Sequence, residues 1–593
     1  MIPELLVVAR LGSFAEPGSL SKTMNQVNRL SYSAMVTLST YNVYSLWASS
    51  LGDNAVGIVV TILFCLTVIV KEKKAIGRRF YAWSYLFWGP KIIQDAYEKA
   101  NGKPFEVLAP DTRHVFVSSI QHVKELDTAA DTVLSLQAAS KHMLQPKYTM
   151  HGFNWYDRRG TEGVGFIRAL RTHLTNNLPQ ILPDLGIIVK TRFAELHAKH
   201  KLIGGRTHVS STVASTRYLL ANNLPNCRKQ TFSSISNDRE AGGFVKCGVI
   251  FWERSSASMQ LESNNEQFMI SALAYIEETI IGAEVMRLIP KFLAPFVGGV
   301  ISSKLNHHAT VFNTLLPVAQ QRCEERDRAK LGQDVPKHAD CIQWIMETSP
   351  RQNPWSAQRI VHELMAIWFG SVHAMSTTVT FAIHDLCLHP EYVEPLRQEC
   401  RTQYSDFERT SQGLPLLDSF LKESARMMPV ESSMRDISSQ PLLLFPIVVS
   451  TRRYALQPFT LSDGTKLDVG DWACTPVKAM MHNPNYYPEP FAFNGFRFVK
   501  PELLSNLSET GNFDTPKSAP SKLTDVNDAW HVWGTGRMAC PGRWYAVAVL
   551  KVITGQIIMN YDCKLVDTNA KRWMTWRSTM VPKSSTMVVF IEL

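Results

Sequence analysis

The sequence predicts a mainly α fold with small β-sheets, an α+β chain, preceded by a membrane anchor. Three observations carry this expectation. Long helical stretches run between prolines, short alternating segments occur near 103–119 and 450–472, and an uncharged apolar run lies near the front.

The front run comes first. Ala55 to Val70, "AVGIVVTILFCLTVIV", carries no charge and is followed at once by "KEKKAIGRR". A spanning helix wants ~20 apolar residues, so with Leu51 and the flanking side chains the anchor is expected over 51–72. The same run fits a buried helix or strand pair. Lys71, Lys73, Lys74, Arg78 and Arg79 favour a membrane stop with the rest of the chain in the cytosol. Residues 1–50 form an N-terminal extension and do not resemble a cleavable signal, because the apolar core lies too far from the start.

From Phe80 onward helix dominates. "KPFEVLAPDTRHVFVSS" near 103–119 reads as a strand pair broken at Pro110–Asp111. Asn353-Pro354 can cap a helix, with Pro354 at its first position, that runs to Leu388 before His389-Pro390 stops it. A second helix is expected from Leu414 to Met428, ending at Pro429, and a third from Pro541 to Asn560. Residues 205–262 and 436–449 lack clear periodicity or break the helix-to-strand order, and read as insertions into one domain over 73–593.

Composition excludes several classes. The 593 residues are 45% hydrophobic, enough for a sizeable core, and the 62 basic against 52 acidic residues leave a mild net charge of +10. That bias fits an anionic membrane surface or an acidic protein partner; no Lys/Arg run is dense enough for nucleic acid. The ten cysteines are scattered with no CxxC pair, which argues against a zinc site or a redox dithiol and suits a reducing compartment.

One cysteine stands apart. In "WHVWGTGRMACPGRWYA", Cys540 precedes Pro541 and a mostly apolar helical run. A helix N-terminus offers free N–H groups that favour a thiolate, and Gly534, Gly536 and Gly542 let a bulky flat group approach. A single soft ligand of this kind suits an iron whose other ligands come from a porphyrin. An ordinary half-buried cysteine is the alternative.

The segment "WGTGRMACPGR" resembles the haem-binding loop of the cytochromes P-450, the haem-thiolate monooxygenases, with Trp533, Gly534, Gly536 and Gly542 at the framing positions. Trp533 replaces the usual Phe, and Met538 stands where a basic residue usually reaches a haem propionate, with Arg537 beside it. "KESARMMP" resembles the family's Glu-x-x-Arg pair, here Glu423 and Arg426, and "EPFAFNGFRF" the segment that completes the clamp, here Arg497. Arg452 or Arg453 in "STRRYALQPF" and Arg171 in "RTHLTNNL" resemble propionate ligands. The resemblance covers roughly 80–200 and 263–593, and is strongest to fungal enzymes of terpenoid or polyketide secondary metabolism.

The resemblance implies a cytochrome P-450 fold holding haem b, with Cys540 as axial ligand of the iron. It implies an oxidation of a small apolar substrate using O2, with electrons from NADPH through NADPH–cytochrome P-450 reductase docking on a basic face that includes Arg537 or Arg543. Localisation is expected at the endoplasmic reticulum membrane, single-pass, with the catalytic domain in the cytosol. One departure touches the chemistry. In the long helix the family's acid-Thr pair becomes His373 and Ala374, so that His373 is the expected proton relay and Ala374 supplies no hydroxyl. A haem-thiolate isomerase or dehydratase, or a haem-binding membrane protein without catalysis, are the alternative readings.

Overall fold

Side-chain oxygens start four of the described helices, each accepting an otherwise unpaired amide of the first turn. The fold is taken from a computed structural model that describes residues 75–153, 165–199, 206–210, 266–338, 340–429, 452–505, 513, 517–577, 579–583 and 585–593. The chain divides into two units, Met1–Arg79 and Phe80–Leu593. Of the first, only a helical turn at 75–79 is described; the expected extension over 1–50 and anchor over 51–72 lie outside the described residues.

Helix α1 (Ala75–Ala100) breaks at Trp88, whose φ of −123° and ψ of 20° leave the helical range two residues before Pro90. A hairpin follows, β1 (Phe105–Leu108) against β2 (Arg113–Phe116), with Phe105 opposite Phe116 and Asp111 in the turn. Ser119 caps α2 (Ile120–Thr128), and Ser135, in the two-residue strand β3 (Leu134–Ser135), caps α3 (Leu136–Leu144). A π-helical turn, Ala169–Leu174, leads into α4 (Thr175–Lys199). Strand β4 (Arg206–Ser210) is the one described stretch of the expected 205–262 insertion.

Then come α5 (Glu266–Leu288), α6 (Ala294–Lys304), α7 (His307–Lys330) and α8 (Cys341–Thr348), the last capped by Asp340. Helix α9 (Ala357–Leu388) is the longest, about 48 Å at ~1.5 Å per residue. It starts later than the sequence suggests. Ser356, not the Asn353-Pro354 pair, is the cap, its Oγ accepting from Arg359 N at 3.3 Å. Helices α10 (Val393–Thr410) and α11 (Pro415–Met427) follow. The expected 436–449 insertion lies outside the described residues.

Strands β5 (Arg453–Ala455), β6 (Phe459–Thr460), β7 (Lys466–Leu467) and β8 (Trp472–Cys474) precede α12 (Arg543–Asn560). The chain closes with β9 (Tyr561–Leu565), β10 (Trp573–Trp576), β11 (Thr579–Pro582) and β12 (Met587–Glu592). Helix α12 begins two residues after the expected Pro541, because Gly542 takes the cap position.

Strand order in the main sheet is β1-β2-β8-β5-β3, with β2 and β8 parallel and the other pairs antiparallel; β4-β12-β9 form a second, antiparallel sheet. Alternation along the strands separates two apolar clusters. Val115, Val117, Ala455 and Ala473 pack with Val123 and Leu126 of α2, whereas Phe116, Trp472 and Cys474 belong to the main core. Helix α9 runs through that main core, packed against α7, α8, α11, α12, β9 and β11. Among the described residues it is the one helix long and apolar enough to cross a membrane, and its place is the protein interior.

Candidate cofactor site around Cys540

The loop before α12 is shaped by two left-handed glycines. Gly534 has φ +79° and Gly536 φ +52°, a region that side chains with a Cβ rarely adopt. At Gly536 space is a second constraint, since a Cβ would lie 2.7 Å from the Asp127 carboxylate. That carboxylate fixes the loop, accepting from Thr535 Oγ1 at 2.7 Å and from Arg453 Nη2 at 3.2 Å. Trp533 is held by its indole N–H, which donates to Leu523 O at 2.6 Å, and its own carbonyl accepts Cys540 N at 2.8 Å.

Cys540 is thereby placed at the start of α12. Burial pushes its thiol up, opposed by N–H groups of Gly542 and Arg543 that donate to the sulfur and by the Arg543 and Arg171 guanidinium groups. Donors and cations converging on one sulfur are the surroundings a metal-bound thiolate requires. Arg543 also closes the turn, Nη1 donating to Cys540 O at 2.9 Å.

Behind this loop lies a buried carboxylate clamp. Glu423 on α11 accepts from Arg426 Nε (2.7 Å) and Nη2 (2.8 Å), and from Arg497 Nε at 3.1 and 3.0 Å. Asn494 N adds a further donor at 2.9 Å. Glu423 and Arg426 are fully buried, and the remaining guanidinium donors go to carbonyls, Met481 and Pro490 for Arg426, Pro488 and Ala492 for Arg497. The one buried carboxylate is thus shared by two guanidinium groups whose further N–H groups reach backbone carbonyls, which offsets the cost of burying the charges.

The other sequence-derived residues are dispersed around the loop. Arg171, on the π-helical turn, donates through Nη2 to Arg537 O (3.0 Å) and Ala539 O (3.3 Å), docking that turn onto the cysteine loop. Arg453 is buried against Asp127 and Arg452 O, and Arg452 is buried with its guanidinium 5.4 Å from the Trp472 ring centroid. Arg537 turns outward, donating to Ala129 O at 2.6 Å and Asp131 Oδ1 at 2.9 Å. The side chain of His373 lies outside the described residues; its backbone belongs to α9. Ala374 is half-buried, its carbonyl accepting from Thr378 Oγ1 at 2.9 Å.

Gly370, on α9, faces open space: a Cβ there meets nothing within 4 Å. Helix α5 crosses α9 beside it, Trp368 Nε1 donating to Ala272 O (2.9 Å) and Tyr275 Oη to Met365 O (3.3 Å), while β11 packs on the same helix. The open side of a central helix and a sulfur gathered by amides and guanidinium groups fit a thiolate-ligated haem. Among the described residues no group of three or more His, Cys, Asp or Glu side chains could hold a bare metal ion.

Two features have no local sequence signal. Asp127, in the last turn of α2, carries both Thr535 and Arg453 from hundreds of residues away. A second set, Asp111, Glu284, Arg287 and Arg577, forms a buried ion cluster that ties the β1–β2 turn, α5 and the β10–β11 turn together.

Comparison with known proteins adds an independent line. The family model described as Cytochrome P450 matches residues 247–440 and 442–590. The chain is 24% identical to the cytochrome P450 monooxygenase olcJ of Penicillium canescens, over 93% of this chain and 93% of that protein. It is 25% identical to the cytochrome P450 monooxygenase paxP of Penicillium paxilli, over 82% and 81% of the two chains. It is also 28% identical to an ent-kaurene oxidase of Gibberella intermedia, over 54% and 55%.

Proposed function

The chain belongs to the cytochrome P450 family and is an oxidoreductase of the monooxygenase class; from that premise we propose that it oxidises an apolar terpenoid or polyketide secondary metabolite. O2 is the co-substrate, and electrons come from NADPH through NADPH–cytochrome P450 reductase. The observation that carries this reading is Cys540 just before α12, with the amides of Gly542 and Arg543 directed at its sulfur and the guanidinium groups of Arg543 and Arg171 bound to the carbonyls of Cys540 and Ala539. The names of the relatives, an ent-kaurene oxidase among them, support the substrate class.

Bound haem supplies O2-dependent oxidation of an unactivated carbon–hydrogen bond. Cys540 would hold the haem iron through its sulfur; burial pushes that thiol up, and the amides of Gly542 and Arg543 work against the rise, favouring the anion that an iron would bind. Arg452 and Arg171 are the residues proposed to meet the propionates; Arg453 is committed to Asp127, and Arg537 to Asp131 on the surface where the reductase docks. Gly370 leaves room for substrate against α9. Proton delivery is assigned to His373. Ala374 has no hydroxyl to help, and two described hydroxyls on the same helix are engaged, Ser371 Oγ donating to Trp368 O at 3.3 Å and Thr378 Oγ1 to Ala374 O at 2.9 Å.

Substrate reaches the site from the membrane. On α6 and just before it, Phe292 (81% exposed), Phe296 (75%) and Val300 (48%) stand in water between Lys291 and Lys304, an arrangement suited to an anionic lipid surface. Attachment to the endoplasmic reticulum membrane by one pass, with the catalytic unit in the cytosol, belongs to the same reading.

Ala374 favours one second reading, a haem-thiolate isomerase or dehydratase without net O2 activation. NADPH consumed in step with product separates the two. The reading of the site is tested by the carbon monoxide difference spectrum of the dithionite-reduced protein. The strongly red-shifted Soret band of thiolate ligation is expected for the natural chain and its loss for Cys540→Ala. Retained turnover in that variant sinks the ligand assignment.

A further inference from the structure

Segment 521–524 runs between α11 and the Cys540 loop and is hydrogen-bonded to both. On the helix side Leu523 N donates to Asp418 Oδ2 at 2.6 Å, and Lys422 Nζ donates to Ser521 Oγ (3.0 Å) and Lys522 O (2.7 Å). On the loop side Trp533 Nε1 donates to Leu523 O at 2.6 Å and Arg543 Nε to Thr524 O at 3.0 Å. Trp533 O then receives Cys540 N at 2.8 Å. One continuous set of hydrogen bonds thus leads from an α11 side chain to the backbone of the sulfur-bearing residue.

Lys422 is an unusual choice for the head of that path. The residue is fully buried, and its ammonium sits 4.7 Å from the ring centroids of both Phe498 and Trp530. An ammonium taken out of water is costly unless hydrogen bonds and ring faces replace its hydration. The acidic groups that act on it are Asp525 and Asp418, and Asp418 is already engaged by Lys551 at 2.6 Å. A methionine would fill the volume without the cost of the charge. What it could not do is hold Ser521 and Lys522 at fixed distances from α11.

We propose that Lys422 is a positioning residue for the axial-ligand loop. Its ammonium sets where segment 521–524 lies, and that segment, through Trp533 and Arg543, sets how Cys540 Sγ meets the haem iron. The proposal rests on Cys540 being the axial ligand. It assigns to α11 a second task beside the Glu423 clamp, carried out by the neighbouring residue on the opposite edge of the loop path.

The test compares the full chain with Lys422→Met, Lys422→Arg and Ser521→Ala in detergent. It reads haem content, helix content and the ratio of thiolate-ligated to thiol-ligated ferrous carbonyl haem. Lys422→Met is expected to keep its haem and shift that ratio toward thiol by about tenfold, about 1.4 kcal/mol, with partial return in Lys422→Arg. Ser521→Ala removes one acceptor and is expected to shift the ratio the same way by a smaller factor. A natural ratio in Lys422→Met at equal haem content overturns the proposal. Should Lys422→Met fail to fold, a natural ratio in Ser521→Ala overturns it instead. A natural chain without any thiolate band overturns the ligand assignment and this proposal with it, whereas a thiolate band unaffected by the variants overturns this proposal alone.

Discussion

Arg577 Nη1 lies 3.0 Å from Asp111 Oδ1, joining side chains 466 positions apart. Arg287 binds the other oxygen of Asp111, and Glu284 receives Arg577 Nε at 2.8 Å, so that two acids and two arginines neutralise one another in the protein interior. The cluster ties the end of α5 and the β10–β11 turn to the β1–β2 hairpin. Removing one member leaves an uncompensated buried charge. Asp111→Asn and Arg577→Met are therefore each expected to lower stability by about 3–5 kcal/mol in urea unfolding. Losses under about 1 kcal/mol, the range of an exposed pair, contradict the buried clasp.

The same cluster has a pH signature. Burial alone would raise the Asp111 carboxyl, but the Arg287 and Arg577 guanidinium groups outweigh it and hold the group well below the usual carboxylate range. A depressed acid contributes stability that is present above its unfolded value near pH 4 and lost as pH falls toward the folded one. Asp111→Asn should have a flatter acid limb of stability than the natural chain. Parallel acid limbs contradict the assignment.

Lys422 shifts in the same direction as Asp111 but in an alkaline window. Burial pulls its ammonium down from 10.5 to about 8, against the pull of Asp525 and Asp418. Between those values the unfolded chain binds the extra proton, so stability rises with pH through that window, by up to about 3 kcal/mol for a shift of this size. The difference in stability between the natural chain and Lys422→Met should widen in favour of the natural chain from pH 8 to 10. A difference independent of pH in that range contradicts the buried ammonium.

Glu423 makes a fourth prediction. In Glu423→Ala two buried guanidinium groups, Arg426 and Arg497, lose their shared anion. A cost of about 3–5 kcal/mol is expected, enough to leave little haem-loaded protein in a chain of ordinary stability. Asp in place of Glu shortens the reach by one methylene and should rescue poorly. Haem content at the natural level in Glu423→Ala contradicts the role given to the clamp.

What the sequence disclosed follows the range of the interaction. The β1–β2 hairpin was legible because alternation and Pro110–Asp111 are local, and the end of α9 because His389-Pro390 stops a helix. The start of α9 was misplaced by three residues: Asn353-Pro354 offers the stronger local signal, but Ser356 is where the amides turn inward. The glycines of the Cys540 loop marked backbone demands that the left-handed φ values of Gly534 and Gly536 make explicit. Asp127, Asp111 and Lys422 could not be singled out, because what distinguishes them is the distant partner. An acid in the last turn of a helix or a lysine beside Glu423 is ordinary until the chain has folded.

Ala374 is the remaining test of chemistry. Its methyl group stands on α9 one turn after Gly370, with the hydroxyls of Ser371 and Thr378 donating to carbonyls of their own helix. A hydroxyl placed at 374 faces the same choice. At the interior of a helix a threonine Oγ1 can donate to the carbonyl one turn back, here that of Gly370, or turn toward the cavity. If protons reach the reacting oxygen through this position, Ala374→Thr will alter the ratio of hydrogen peroxide released to product formed, at constant NADPH consumption. An unchanged ratio moves proton delivery away from residue 374, to His373 or to a group carried by the substrate. Pairing the change with His373→Ala separates these, since a relay through His373 predicts that Ala374→Thr restores part of the coupling lost in the histidine variant, and a substrate-borne proton predicts that neither change matters.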